Sequence, residues 1–220
     1  MISLDNRLKA AFKLCRKGLV SADVGTDHAR LAAALALEKS AKVYASDIKD
    51  GPLEAARRTV AEYDVKNVEI VKSDGLENIP YADDVIICGM GGELIAEIVE
   101  KCRFTNENTR FILQPMTKAD FLRKRLYNSG FELLEEHTAE HAGKIYTVML
   151  WRFSGISRDI DEIESLVGKN RDRKYLEKVA EKLIKNAKNM EKSSGFAEEA
   201  TRLRKTADAV MKIAESYENK

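Results

Sequence analysis

Short apolar runs and segments with helical periodicity alternate along the first two thirds of the chain. Runs of strand length lie at residues 19–24, 42–47, 68–72, 84–88 and 110–113. Apolar residues at helical spacing favour helices at 29–37, from Pro52 onward, after residue 92 and at 122–127. The alternation predicts five strand and helix units, and therefore a parallel sheet covered by helices.

Two longer apolar runs follow at residues 131–138 and 144–153, with no helix between them. The short turn at His141, Ala142 and Gly143 joins these runs, so we predict an antiparallel hairpin. Added to the five parallel strands, this hairpin gives an α/β fold with a seven-stranded mixed sheet.

A basic amphipathic segment precedes the first strand. Its apolar residues Leu4, Leu8, Ala11 and Phe12 follow helical spacing, and Arg and Lys residues surround them, which predicts a helix over 4–17. Two interpretations stay open: a covering helix with a solvated outer face, or a helix whose basic face contacts phosphate.

From residue 154 onward the sequence changes to charge-rich helical segments without a strand pattern. We predict helices near 159–167, at 171–192 and at 196–217, with a turn at Ser193, Ser194 and Gly195. Narrow apolar seams on the two long helices favour an antiparallel hairpin of coiled-coil type. The sequence thus divides into a domain at residues 1–153 and a helical hairpin at 154–220.

Composition limits the class of protein but not its partner. The chain has 220 residues, 44% of them hydrophobic, and a net charge of +1, so it can bury a real core and its total charge indicates nothing. Three scattered cysteines without a CxxC pair predict a reduced protein without a structural metal. Since no apolar run is long enough for a membrane span or signal peptide, we expect a cytoplasmic protein.

Three predicted strands end in an acidic residue or in an acid and a glycine: Asp23 with Gly25, Asp47, and Asp74 with Gly75. Parallel strands present their carboxyl ends at one edge of a sheet, where ligands of such folds bind. A carboxylate at Asp47, about twenty positions beyond the glycine turn, has two oxygens for the two hydroxyls of a ribose. For the first turn, an ordinary strand-to-helix connection with an Asp cap remains the alternative.

Several motifs resemble a known family. After Gly25 the next glycine is Gly51, so the spacing of a dinucleotide fingerprint is missing. The five units and terminal hairpin instead resemble class I S-adenosylmethionine-dependent methyltransferases. The runs SADVGTDHARL, ASDIKDGPLEAA, SDGL, ICGMGGELI, ILQP and GKIY are similar to bacterial tRNA adenine-N1 methyltransferases of the TrmK family, which modify adenosine 22 of tRNA.

The resemblance implies a Rossmann-like domain that binds S-adenosylmethionine and a set of site residues. Asp23, Gly25 and Asp27 would frame the amino acid end of the donor, and Asp47 would bind its ribose. The remaining implied cofactor residues are Ile48 beside Asp47, Asp74 and Gly75 at the adenine, and Gly89, Met90, Gly91 and Gly92 as the floor between donor and substrate. The sequence departs from the usual family pattern at Met116, Arg30 and Ala32.

Methylation of adenine N1 requires alignment more than acid or base catalysis, because a sulfonium methyl is already electrophilic. Since N1 lies on the pairing edge, the base must be unpaired or swung out. Candidates to hold the base are Asp27 or His28 as acceptors for the exocyclic amine, Gln114 through its amide, and Met90 as an apolar wall. For His28, a helix-start residue bonding backbone is the alternative.

The segment from residue 169 to 192, which includes the predicted helix at 171–192, carries nine basic and four acidic residues. This excess is either a solvated flank or a surface that contacts the tRNA backbone, as the resemblance implies. The sequence therefore predicts a tRNA adenine-N1 methyltransferase without metal or membrane. Two alternatives remain: methylation of another RNA site, small molecule or protein, or an RNA-binding relative without turnover.

Overall fold

The computed structural model describes residues 2–192 and 195–217. The chain forms two compact units, residues 1–158 and 159–220. Their division lies five residues beyond the boundary predicted after residue 153. Within the described ranges, no helix is both long enough and apolar enough to cross a membrane.

The first unit is built on the predicted seven-stranded mixed sheet, with strand order β3-β2-β1-β4-β5-β7-β6. The first five strands run parallel, and β7 joins β5 and β6 in antiparallel pairs. The strands are β1 Val20–Val24, β2 Lys42–Asp47, β3 Val68–Lys72, β4 Asp84–Gly91, β5 Arg110–Thr117, β6 Phe131–His141 and β7 Lys144–Phe153. The predicted fold class is therefore confirmed.

Strands β4 and β5 extend beyond their predicted ends at residues 88 and 113. The ladder shifts register around Gly89, and Met90 then pairs with Pro115. Proline lacks an N–H and Gly89 has a φ of +84°, so regular pairing is interrupted there without ending the strands. The glycine motif is thus an irregular strand end and not a free loop.

The described residues of the first unit form five helices, and their bounds agree with the predicted segments to within a few residues. They are α1 Asn6–Leu14, α2 Arg30–Glu38, α3 Asp50–Glu62, α4 Gly92–Glu100 and α5 Ala119–Asn128. The central strands between these helices are apolar on both faces, and Val85, Ile86, Ile87, Phe111 and Ile112 have no exposed side-chain surface. This burial is typical of a parallel sheet with helices on both sides.

Helix α1 is held at both ends. Asp5 caps its start by accepting hydrogen bonds from the backbone N–H groups of Arg7 and Leu8. Beyond its C-terminus, Arg16 pairs with the buried carboxylate of Asp84, at 2.7 Å, and Lys39 Nζ donates to the carbonyl of Cys15, at 2.6 Å. A cation at the exposed carbonyls of a helix end is electrostatically favourable. These contacts fix the helix along the sheet.

The second unit consists of helices α6 Glu162–Val167, α7 Arg173–Met190 and α8 Ala197–Glu215. Small and branched apolar residues bury the inner faces of the two long helices, among them Leu183, Ala187, Leu203, Ala207 and Val210. An ion pair joins Glu191 after α7 to Arg204 on α8. The helical hairpin is therefore present, while two residues of its predicted turn, Ser193 and Ser194, lie outside the described residues.

Candidate active site

A cavity of about 800 Å³ opens at the carboxyl ends of β1, β2 and β4. Its walls include most of the predicted donor and base residues, which come from three separate strands. Those residues are Asp23, Gly25, Asp27, His28, Asp47, Gly89 and Met90. The acid-tipped strand ends at β1 and β2 therefore face one space, whereas the third predicted end, at Asp74, lines a different cavity.

The turn after β1 is tied to the end of β2. The backbone N–H groups of Gly25 and Thr26 both donate to the carbonyl of Ser46, at 2.8 and 2.9 Å. Gly25 has a φ of +71°, and a Cβ there would lie 2.2 Å from the terminal methyl of Met90. Glycine adopts this backbone conformation without strain, and a larger residue would also displace the end of the Met90 side chain. The turn and the Met90 wall of the cavity thus contact each other directly.

Asp23 lies beneath this turn and is almost completely buried. Its carboxylate accepts a 2.6 Å hydrogen bond from the Thr26 hydroxyl and lies near the backbone N–H of Ala32 in the first turn of α2. Burial raises the pKa of Asp23 to about 6, against the lowering effect of these two donors. Helix α2 has no side-chain cap from its own N-cap residue, Ala29, and the Asp23 carboxylate lies near its first turn.

Asp27 and His28 project from the same turn into solvent at the cavity. Their side chains are 73% and 62% exposed, and the imidazole Nε2 lies 3.7 Å from the Asp27 carboxylate. Asp27 has a φ of +50°, a left-handed conformation that is uncommon for residues other than glycine. Both side chains are therefore accessible to a ligand, and Asp27 is held in an unusual backbone geometry at the rim.

Asp47 stands at the end of β2 and is half-buried. Its Oδ1 accepts a hydrogen bond from the backbone N–H of Lys49, at 2.9 Å. The next residue, Ile48, is 54% exposed, so its apolar side chain faces outward beside the carboxylate. This carboxylate is oriented by a neighbouring backbone N–H and flanked by an apolar side chain. Such a pair of groups suits a sugar that carries a flat base.

Gln114 differs from its expected role. Its side chain is fully buried, and both ends of the amide contact the protein. The Oε1 atom accepts from the Gly89 backbone N–H, at 3.2 Å, and from Arg7, at 3.4 Å, while Nε2 donates to the Pro115 carbonyl, at 2.9 Å. In this arrangement Gln114 fixes the glycine segment after β4, and its contact with a base stays a prediction.

The other predicted cofactor residues lie outside the lining of this cavity. Asp74 and Gly75 line a second cavity of about 570 Å³, with Leu94, Ile98 and Arg103 among its other walls. Gly91 packs against Thr117 of β5, and Gly92 approaches the Lys118 carbonyl so closely that a Cβ would lie 2.3 Å away. The adenine contacts of Asp74 and Gly75 therefore stay a prediction.

The N-terminal segment contributes a wall that the sequence did not assign to the site. Ser3, Leu4, Asp5, Arg7 and Leu8 all line the first cavity. The only signal was the basic face of the first helix, which was compatible with covering the sheet or with binding phosphate. Since Arg7 lies 107 positions before Gln114, no local pattern could indicate their contact.

Other reactive side chains do not form a second chemical centre in the described ranges. No group of histidine, cysteine and acidic residues there is arranged to hold a metal ion. The three cysteines are free thiols, and burial raises the pKa of Cys88 at the cavity well above its usual value. His137 lies beside Glu135 on the terminal hairpin, at 3.2 Å.

The strand order, the antiparallel β7 and the cavity at the carboxyl edge define a Rossmann-like methyltransferase fold. A sequence family described as a methyltransferase domain matches residues 4–149. The chain therefore belongs to this methyltransferase family.

Comparisons with individual proteins narrow the similarity. The tRNA (adenine(22)-N(1))-methyltransferase of Bacillus subtilis (strain 168) is 37% identical over 155 residues, which are 68% of this chain and 65% of that protein. The matched region thus spans slightly less than two thirds of the relative. The crystal structure of the B. subtilis m1A22 tRNA methyltransferase TrmK superposes with a TM-score of 0.81 at 29% identity and covers 99% of both chains.

A Streptococcus pneumoniae protein crystallised in complex with S-adenosyl-L-methionine gives a TM-score of 0.79 at 25% identity. It covers 96% of this chain, and the whole of that chain is matched (100%). Together these comparisons confirm the resemblance to the TrmK family that the motifs indicated.

Asp23→Asn should stabilise the free protein at neutral and alkaline pH. The folded state raises the pKa of Asp23 from 3.8 to about 6, so the folded protein loses stability as the pH rises through this interval. Asn keeps an oxygen acceptor but no charge, so we expect a gain of about 1 to 3 kcal/mol at about pH 8 that shrinks towards pH 4. Urea unfolding across this range measures it. If the difference in free energy of unfolding between the variant and the wild type does not change with pH, the raised pKa of Asp23 is wrong.

Proposed function

We propose that this chain transfers a methyl group from S-adenosylmethionine to N1 of an adenosine in tRNA, at position 22. The observation that carries the proposal is the cavity at the carboxyl edge, where the glycine turn of β1 and the carboxylates of Asp23 and Asp47 face one space. Its support is the similarity to the B. subtilis enzyme that is named for this reaction. A tRNA substrate implies a cytoplasmic enzyme.

The residues of the cavity fit such a donor. Asp47 is fixed through one oxygen by the Lys49 backbone, and its second oxygen is not engaged within the described part of the chain. A carboxylate so oriented matches the paired hydroxyls of a ribose. Asp23 places a buried negative charge beneath the glycine turn, which favours a positively charged ligand group above it.

When bound, S-adenosylmethionine supplies a methyl group on a sulfonium, which needs no further activation. The protein's part is to orient the base, keep water away and accommodate the charge that moves onto the adenine ring. Asp27 is accessible and can accept a hydrogen bond from the exocyclic amine of the base. Because this amine becomes more acidic as the ring becomes cationic, the hydrogen bond strengthens towards the transition state.

Met90 and the Gly89 segment supply the apolar side of the cavity. The Met90 side chain packs against the Gly25 turn, and Gln114 holds Gly89 through its backbone N–H. We propose that Gln114 positions this wall and that Asp27, with His28 beside it, holds the base. Met90 would then limit the freedom of the base by van der Waals contact.

The second unit would bind the tRNA backbone. All nine basic residues between 169 and 192 are exposed. Three of the four acidic residues in that range are engaged within the protein: Asp172 caps α7, Glu177 pairs with Arg173, and Glu191 pairs with Arg204. The outer surface therefore keeps an excess of positive charge, which suits a phosphate backbone.

The proposal is tested by incubating the purified protein with S-adenosylmethionine and tRNA transcripts that carry A22 or a substitution at that position. Mass spectrometry of the digested RNA should find 1-methyladenosine only in the A22 transcript. Methylation at another nucleotide would favour the alternative of a methyltransferase that acts on another RNA site. Binding of both ligands without any transfer would favour an RNA-binding relative without turnover.

Asp47→Ala should weaken binding of S-adenosylhomocysteine by at least about 1 to 2 kcal/mol, the scale of losing charge-assisted hydrogen bonds. Calorimetry measures the change directly. Asp50→Ala is the matched control, because Asp50 is also acidic and nearby but pairs with Lys72 on the surface, at 2.8 Å. If the two variants bind equally well, the ribose assignment of Asp47 is wrong.

Replacing Lys178, Lys182 and Lys185 together by Gln should weaken tRNA binding and reduce its salt dependence, by a slope of about 0.9 for each phosphate that is no longer neutralised. Binding of S-adenosylhomocysteine should not change. The control replaces three exposed lysines of the first unit, Lys13, Lys17 and Lys66, by Gln. Filter binding over a series of salt concentrations measures both variants, and equal weakening in the two would remove the special role of α7.

A further inference from the structure

We infer that Arg7 is the residue that binds the carboxylate at the amino acid end of the donor. This inference rests on the proposed use of S-adenosylmethionine, and it deepens that proposal by assigning a ligand group to a residue that the sequence motifs did not include. It starts from the charges around the cavity and from the hydrogen bonds of one side chain.

The amino acid end of the donor carries an ammonium and a carboxylate, so its site needs groups of both signs. The cavity lining holds four carboxylates, at Asp5, Asp23, Asp27 and Asp47. Among the described residues of the lining, the permanently charged cations are Arg7 and Arg30. Either arginine can offset the loss of hydration and the repulsion by the acids when a carboxylate is taken from water into this acidic cavity.

The protein itself satisfies the Arg7 guanidinium incompletely. One strong ionic contact is present, from Nη2 to Asp5 Oδ2, at 2.7 Å. Nη1 reaches the thioether of Met116, at 3.0 Å, and the Gln114 oxygen, at 3.4 Å, which are a weak acceptor and a long hydrogen bond. The buried Nε has no partner among the described residues.

Asp5 holds Arg7 through one oxygen only, Oδ2, because its other oxygen is used by the backbone. Asp5 Oδ1 accepts the backbone N–H groups of Arg7 and Leu8 at the start of α1. The Arg7 guanidinium can therefore bind a second strong acceptor. A carboxylate is the acceptor that guanidinium binds best. Nη1, whose present acceptors are weak or distant, is therefore the donor that an anion in the cavity would engage.

Arg7 is also better fixed in place than its competitor. Its side chain is 17% exposed, and the guanidinium lies over the ring of Tyr146, 5.4 Å from the centroid. Arg30 is an exposed residue at the first position of α2. A side chain that is already ordered loses less rotamer freedom when a ligand binds. The partial burial of Arg7 also favours a small ligand in the cavity over the backbone of a large RNA.

The test compares two ligands that differ only in the carboxylate. Calorimetry measures S-adenosylhomocysteine and its decarboxylated analogue, which keeps the amine, against the wild type and Arg7→Met. We expect the wild type to prefer S-adenosylhomocysteine by about ten- to hundredfold, and Arg7→Met to lose most of this preference while it binds the analogue almost as the wild type does. Arg7→Lys should keep an intermediate preference, because it retains the charge without the guanidinium fork.

Controls separate this role from others. Lys9→Met removes a charge from the same helix outside the cavity and should leave the preference between the two ligands intact. Arg30→Met should do so as well, and a loss of the preference there would transfer the assignment to Arg30. Equal weakening of both ligands by Arg7→Met would show that Arg7 only supports the Gln114 wall and would overturn the inference. If Arg7→Met does not fold, Arg7→Lys provides the test. The inference is overturned if Arg7→Lys prefers S-adenosylhomocysteine over the analogue as strongly as the wild type does.

These outcomes differ from a failure of the proposed function. If the wild type binds neither ligand, the use of the methyl donor is itself wrong. If the wild type binds S-adenosylhomocysteine and methylates tRNA but shows no preference over the decarboxylated analogue, only the Arg7 assignment fails.

Discussion

The hydrogen bonds that tie the turn after β1 to the end of β2 determine where the other groups of the cavity lie. Two consecutive N–H groups, from Gly25 and Thr26, share the carbonyl of Ser46. Gly25 adopts its positive φ in this turn without strain. One carboxylate then lies under the turn, at Asp23, and the other stands at the next strand end, at Asp47. The two charges are thus positioned by backbone contacts, which are less adaptable than side-chain contacts.

The rest of the cavity depends on elements that are far apart in the sequence. Helix α1 is fixed at its far end by Arg16 and Lys39, so its first turn lies steadily at the cavity. Gln114 then links that turn to the glycine segment after β4, because it accepts from both Arg7 and Gly89. Loss of any of these contacts would shift the wall that faces the proposed donor. Such a buried, fully engaged amide is well suited to hold two elements in register.

The sequence was sufficient to predict the sheet and one side of the cavity. The alternation of apolar runs with helically spaced segments predicted all seven strands, and the acids at the ends of β1 and β2 predicted the edge at which the first cavity opens. Periodicity could not show the continuation of β4 and β5, which depends on a register shift opposite Pro115. It also could not show that Arg7 joins the site or that the Gln114 amide is already engaged. Those facts depend on contacts between residues more than 100 positions apart, as Arg7 and Gln114 are.

Asp23 connects the stability of the fold to the proposed chemistry. Accepting the Thr26 hydroxyl requires only an oxygen atom, which Asn or Ser would supply without a charge. The buried charge instead raises the pKa of the carboxyl to about 6 and costs stability at neutral pH. The fold alone therefore gives no reason for an acid at this position. The proposed donor does, because it carries an ammonium and a sulfonium, and a negative charge already fixed beneath the turn stabilises a cation without further reorganisation. On this argument the acid is retained for the ligand, at the expense of the free protein.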